Sequence, residues 1–197
     1  ALCDNTPIPV TNLFDSKSVQ IHQGGEVKGD SKSKTLFDLV DNQINPLANP
    51  RDGWVLNLSN GERILQNVAL MSGVLLVPSY TQNADTGADV CKPEGTSSLY
   101  ALYYQTGTAF AHAGQPKGAF ESAPAEHSTK PDPAKPVLEK VPLGPGVASE
   151  ASFITRGGDV PCKVLGIAQS STGETQTADL ILNCIPTGTK LFREGTN

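Results

Sequence analysis

The chain has 197 residues, enough for one ordinary domain or two small ones, and 38% of them are hydrophobic, enough for a core. Its 19 Gly and 15 Pro, with 18% charged residues, point to a turn-rich protein rather than a helical bundle. A net charge of −5, with no basic cluster, argues against a nucleic-acid or anionic-membrane partner.

Along the chain, residues 1–50 form an N-terminal extended segment. Val10–Phe14 and Val19–His22 read as short strands, and residues 24–34 as polar turn material. Apolar residues at Leu36, Phe37, Leu39, Val40 and Ile44, ahead of Pro46, predict one short helix over 35–45. From Trp54 the period becomes strand-like. Residues 51–112 predict a four-stranded unit, with Asn60-Gly61, Ser72-Gly73 and Thr106-Gly107-Thr108 as its turns. Residues 113–136 are rich in Pro, Ala and charge and read as a solvated loop without regular structure. A second unit over 137–197 contains Val137–Val141, a Gly144-Pro-Gly146 turn, Ala148–Thr155 and a hairpin turning near Gly173.

The two units share one outline of apolar strand, Gly turn, apolar strand and Thr-Gly turn. Such a unit buries its apolar face only against a similar neighbour, as β-propeller blades do. Two blades are too few for a closed ring, so the expected fold is all-β, or β-rich with one short helix, as an incomplete set of antiparallel blade-like sheets. Its unpaired edges and uncovered faces then ask for another chain.

Cys3, Cys91, Cys162 and Cys184 contain no C-x-x-C pair and lie far in sequence from His22, His112 and His127, which disfavours zinc. An even, widely spaced set suits disulfides in an oxidising compartment. A hairpin centred on Gly173 places Cys162 opposite Cys184, within bridging range. Elimination leaves Cys3 with Cys91. The longest apolar stretch, 68–78, falls short of the roughly 20 residues a membrane span needs. No signal peptide stands at the start, so a processed mature chain or a fragment is expected.

Asn83, Asp85, Asp89 and Glu94 place oxygen-bearing side chains at positions 1, 3, 7 and 12 of a loop, the spacing of a calcium ligand set. Gly87 and Ala88 at positions 5 and 6 depart from that pattern, and the bland alternative is a polar surface loop. Calcium is the one cofactor candidate. The three histidines have no local catalytic partner and read as surface residues, and there is no G-x-S-x-G elbow or phosphate-binding Gly pattern. Trp54, Tyr100, Tyr103 and Tyr104 fall in strands, where aromatics pack between sheets, with one face as a candidate interaction surface. Alternation sets Tyr100 and Tyr104 on one face and Tyr103 on the other.

Several phrases occur in order along residues 10–175: Val10-Thr-Asn-Leu-Phe-Asp, Gly53-Trp-Val-Leu-Asn-Leu, Gly61-Glu-Arg-Ile-Leu, Gly95-Thr-Ser-Ser-Leu-Tyr-Ala-Leu, Leu143-Gly-Pro-Gly-Val-Ala-Ser and Ser170-Ser-Thr-Gly-Glu. This ordered set resembles the C-terminal region of PilY-type proteins, secreted factors of type IV pilus assembly and adhesion. The resemblance implies the last blades of a quinoprotein-like propeller without its cofactor, at the cell surface or pilus tip. It also implies a non-catalytic role, with pilins or minor pilins, or the remainder of a cleaved propeller, as partners. The family's von Willebrand A-like part and its calcium loop have no counterpart in this sequence. Two alternatives stay open: a self-associating subunit or coat of an extracellular filament that reuses the module, and a quinoprotein-like oxidoreductase.

Overall fold

The computed structural model describes residues 8–44, 51–59, 61–71, 73–82, 95–111, 118–120, 132–156, 162–173 and 175–182. It is β-rich, with one short helix and several small sheets, most of them antiparallel and none closed. In chain order the strands are β1 (Leu13–Asp15), β2 (Gln20–Ile21), β3 (Val27–Lys28), β4 (Gly53–Val55), β5 (Glu62–Arg63), β6 (Ala69–Met71), β7 (Val74–Gln82), β8 (Gly95–Tyr103), β9 (Lys140–Pro145), β10 (Ser152–Arg156), β11 (Cys162–Gln169) and β12 (Thr175–Leu182).

The N-terminal strands are shorter than expected because single-turn 3-10 helices interrupt them, over Val10–Asn12 and Ser16–Ser18. Helix α1 (Leu36–Leu39) begins at a reciprocal cap. Asp38 N–H donates to Thr35 Oγ1 at 3.2 Å, and Thr35 N–H donates to Asp38 Oδ2 at 2.9 Å. Those bonds hold the Asp38 carboxyl below its ordinary range. The helix widens into a π-type turn over Val40–Ile44 and buries Leu36, Leu39 and Val40 while Phe37 faces solvent.

Three expectations about the central unit change. Trp54–Leu58 is not its first strand: β4 pairs with β1 in parallel, Phe14 beside Trp54. A parallel pair needs a crossover rather than a tight turn, and residues 16–52 supply it. Arg63–Met71 is not one strand but two, β5 and β6, and both pair with β7. The Asn60-Gly61 turn therefore makes no hairpin between Trp54 and Arg63, although Gly61 does take φ +78°. The Ser72-Gly73 turn does make a hairpin, joining Met71 to Val74.

A third correction concerns the boundary between the two units. The strand expected at Val137–Val141 runs instead over Lys140–Pro145 and pairs antiparallel with β8. The result is a five-stranded sheet in the order β5-β7-β8-β9, with β6 beside β7. Gly144-Pro145, expected as a turn, lies inside β9, where the register shifts opposite Ser97/Ser98 and Gly144 takes φ +106°. Only β10, β11 and β12 remain for the second unit, as an antiparallel sheet in that order.

Strand alternation gives the five-stranded sheet two apolar faces. On the first, Val74, Leu76, Leu99, Ala101, Tyr103 and Leu143 join Phe14, Ile21, Leu36 and Leu39 in the main core. Ala148, Ala151, Ala168 and half-buried Phe153 connect the three-stranded sheet to the same core. The second face is smaller: Val77, Tyr100 and Leu102 lie under Trp54, Leu56 and Leu58. Residues 118–120, expected in a solvated loop, belong to the interior. Ala119 and Phe120 are buried, and Ala119 N–H donates to Phe110 O at 2.9 Å.

Trp54 ties the parallel pair to the sheet, its Nε1–H donating to Tyr104 O at 2.8 Å. Gly107 lets the ring approach: its φ is +66°, and a Cβ there would collide with Trp54. Gly107→Ala is therefore expected to lower unfolding stability by about 2–4 kcal/mol, combining backbone strain and a displaced ring. Urea denaturation of the variant beside the wild type measures it.

Candidate interaction surface and the buried Glu62 network

The four calcium-loop residues, Asn83, Asp85, Asp89 and Glu94, lie outside the described residues, as do Cys3, Cys91 and Cys184, His112 and His127. Among the described residues no group of three or more His, Cys, Asp or Glu side chains could hold a metal ion. The β11–β12 register differs from the expected one, while the Cys162–Cys184 bridge itself lies outside the described residues. Cys162 stands opposite Leu182 rather than Cys184, because the hairpin centres one residue earlier than Gly173.

The aromatic residues divide by burial. Tyr100 and Tyr103 are interior, on opposite faces as alternation predicts, so neither is available to a partner. Tyr104 lies beyond the end of β8, in the following turn, and is 46% exposed, with its ring edge-on to Tyr103 at 5.4 Å. Trp54 is half-buried against both cores. His22 is not a surface residue: it is buried between the β2–β3 hairpin and Pro136, with Nε2 3.1 Å from Gln20 Oε1.

The site that sequence reading missed is built across the sheet. Register sets Glu62 of β5 opposite Thr81, two residues along from Ser79; Ser79 lies opposite Ser98, two along from Tyr100; and Tyr100 lies opposite Lys140. One polar residue from each of four adjacent strands thus meets on the second face. Glu62 Oε1 accepts from Ser79 Oγ at 2.6 Å and Lys140 Nζ at 2.6 Å. Oε2 accepts from Tyr100 Oη at 2.9 Å and Ser59 N–H at 3.3 Å. Lys140 Nζ also stands 5.0 Å from the centre of the Tyr100 ring, within cation–π range.

Burial alone would raise the Glu62 pKa. The bonds from Lys140, Ser79 and Tyr100, with the Lys140 charge, outweigh it and hold the carboxyl below its ordinary 4.5. The Tyr100 phenol is pushed up by burial and by the neighbouring carboxylate, so it remains a donor. Glu62 has two bonds on each oxygen and no free lone pair aimed at a substrate. This chemistry fixes a sheet; it does not present an acid or a base.

Beside the network the second face runs out to an open margin. Among the described residues no strand pairs with the outer side of β5 or β6. Ile64, Leu65, Val68 and Leu70 lie along that margin and are each about half exposed. Leu70 stands opposite Leu75, itself packed on the second-face cluster, so the apolar surface continues from the interior to the edge. Nothing in their order separates these four residues from core-strand residues; their exposure follows from β5 and β6 being edge strands.

No family model, curated protein or solved structure matches this chain. Among the described residues no helix is long and apolar enough to cross a membrane.

Because the folded pKa of Glu62 lies below the unfolded one, its contribution is present above the unfolded value and fades as pH falls through the folded value. Glu62→Gln is expected to cost about 2–3 kcal/mol near neutral pH, since it leaves a partly buried ammonium unpaired. That difference should shrink below about pH 4.5, as the wild-type carboxyl protonates. Urea titrations of both proteins between pH 7 and 3 check the size and the direction.

Proposed function

We propose that this chain is a non-catalytic extracellular component of the type IV pilus system, structural and adhesive, whose second sheet face packs on a β-rich partner, a pilin or a further propeller blade. The apolar margin of Ile64, Leu65, Val68 and Leu70 carries this reading. An edge strand with exposed aliphatic residues adds to other chains unless it is covered, and here it adjoins an apolar face rather than standing alone. The ordered PilY-like phrases favour the pilus over other extracellular assemblies.

The bonding of the Glu62 network supports the non-catalytic part of this reading. The Glu62 carboxylate is saturated by its neighbours, and its lysine is bound in an ion pair. A self-associating filament is the second reading, favoured because β10 and β12 are also sheet edges among the described residues, which gives one chain two separate sets of edges.

A photo-cross-linking residue placed at Leu70, in the chain displayed on cells, tests the proposal. It is expected to give a covalent adduct with a pilin subunit or another β-propeller chain, identified by mass spectrometry of the tryptic junction peptide. Adducts only between copies would favour the filament, and no adduct at Leu70 would overturn the proposed face.

A further inference from the structure

The run that covers the second face carries a signal that the Glu62 network does not use. In Asn57-Leu58-Ser59 an asparagine is followed two residues later by a hydroxyl, and no other asparagine of the chain stands in that pattern. Such a triplet is the acceptor signal for attaching sugar to an asparagine carboxamide. It also arises by chance in a chain of this length, so its placement decides. Leu56 and Leu58 are half-buried against the Val77, Tyr100 and Leu102 cluster, whereas Asn57 and Ser59 are exposed. This alternation sets both leucines inward and turns the carboxamide and the hydroxyl outward on the same side.

We infer that Asn57 is a site of N-linked glycosylation, its carboxamide nitrogen carrying a sugar taken from a phosphate-activated donor. Three observations carry it. Neither the Asn57 carboxamide nor Ser59 Oγ is hydrogen-bonded to a described residue, so both parts of the signal are open to a transferring enzyme. Residues 56–59 belong to no strand, so an enzyme can hold the run without breaking a sheet. The end of the run is nonetheless fixed at the surface. Ser59 N–H donates to Glu62 Oε2 at 3.3 Å, and Glu62 N–H donates to Ser59 O at 3.0 Å. Both bonds use the main chain of Ser59 and leave its hydroxyl outside.

In the transfer the carboxamide nitrogen bonds to the anomeric carbon of the sugar, and the bond from that carbon to the donor's phosphate oxygen breaks. The phosphate leaves with the electron pair, and the amide proton passes to a base of the transferring enzyme. The product is a bulky, hydrated group on the outer side of the cover over Val77, Tyr100 and Leu102. The margin of Ile64, Leu65, Val68 and Leu70 contains no part of the signal and keeps its apolar surface. The inference rests on the extracellular part of the proposed function, since this modification marks surface segments of secreted chains. It does not rest on the pilin partner.

Peptide mapping of the intact chain, recovered from outside the cells that make it, tests the inference. Trypsin cleavage after Arg51 and Arg63 releases residues 52–63. That peptide is expected to carry the added mass of one or more sugar residues, located on Asn57 by electron-transfer fragmentation. Ser59→Ala should lose the added mass and Ser59→Thr should keep it. Both variants retain the main-chain bonds between residues 59 and 62, so each is expected to fold, which circular dichroism checks. An unmodified Asn57 in the wild-type chain would overturn the inference, and so would sugar that persists on Asn57 in Ser59→Ala. Either result leaves the Leu70 cross-link to decide the proposed face, whereas a glycosylated chain without an adduct at Leu70 would overturn that face alone.

Discussion

Four strands of the central sheet meet at one carboxylate. Glu62 comes from a two-residue strand that could not hold a place in a sheet by its own ladder bonds, and its side chain reaches across β7 and β8 to the lysine of β9. A buried ion pair is weak evidence for net stability, since apolar replacements of similar volume often do as well. Its physical effect here is on register. A slip of one residue in any of the four strands would turn its polar group to the other face, leaving a charge or hydroxyl in the main core. The network therefore selects a single alignment, and the apolar residues of both faces follow from it.

That alignment also determines what is left uncovered. With Glu62 anchored inward, the chain leaving β5 runs along the sheet margin, and Ile64, Leu65, Val68 and Leu70 are left half exposed there. The residues just before Glu62 are drawn over the second face, where Trp54, Leu56 and Leu58 cover Val77, Tyr100 and Leu102. The covering stops before the β6 edge. At the other margin, β9 leaves the β2–β3 hairpin to reach β8, and that departure opens a fork at Val137. Among the described residues the sheet thus has incomplete apolar cover at one margin and a parted pair of strands at the other.

Much of this was legible in the sequence at the level of local patterns. Short apolar runs between Gly-containing turns gave β7, β8, β10, β11 and β12 nearly in place, and the apolar spacing from Leu36 to Ile44 ahead of Pro46 bracketed the only α-helix described. What failed was pairing. Trp54–Val55 has the composition of a blade strand, yet it pairs with β1, because Gly107 provides a seat for the indole that local pattern cannot show. Gly144-Pro145, at the end of β9, reads as part of a turn, but on an edge strand a missing amide is tolerated and the bulge absorbs the extra residue. His22 looked like a surface residue because nothing nearby signals that Pro136, more than a hundred positions away, closes over it. The Glu62 network was invisible for the same reason: its four members span residues 62 to 140 and meet only once the registers are known.

The most direct measurement of this account is a double-mutant cycle on Glu62 and Lys140, using Glu62→Gln, Lys140→Met and the double variant in urea unfolding near pH 7. If the carboxylate aligns the sheet, the two residues are coupled by about 1.5–3 kcal/mol, and the double variant is less destabilised than the sum of the singles. A coupling energy near zero, with additive effects, would mean that the sheet does not depend on this contact and would contradict the account.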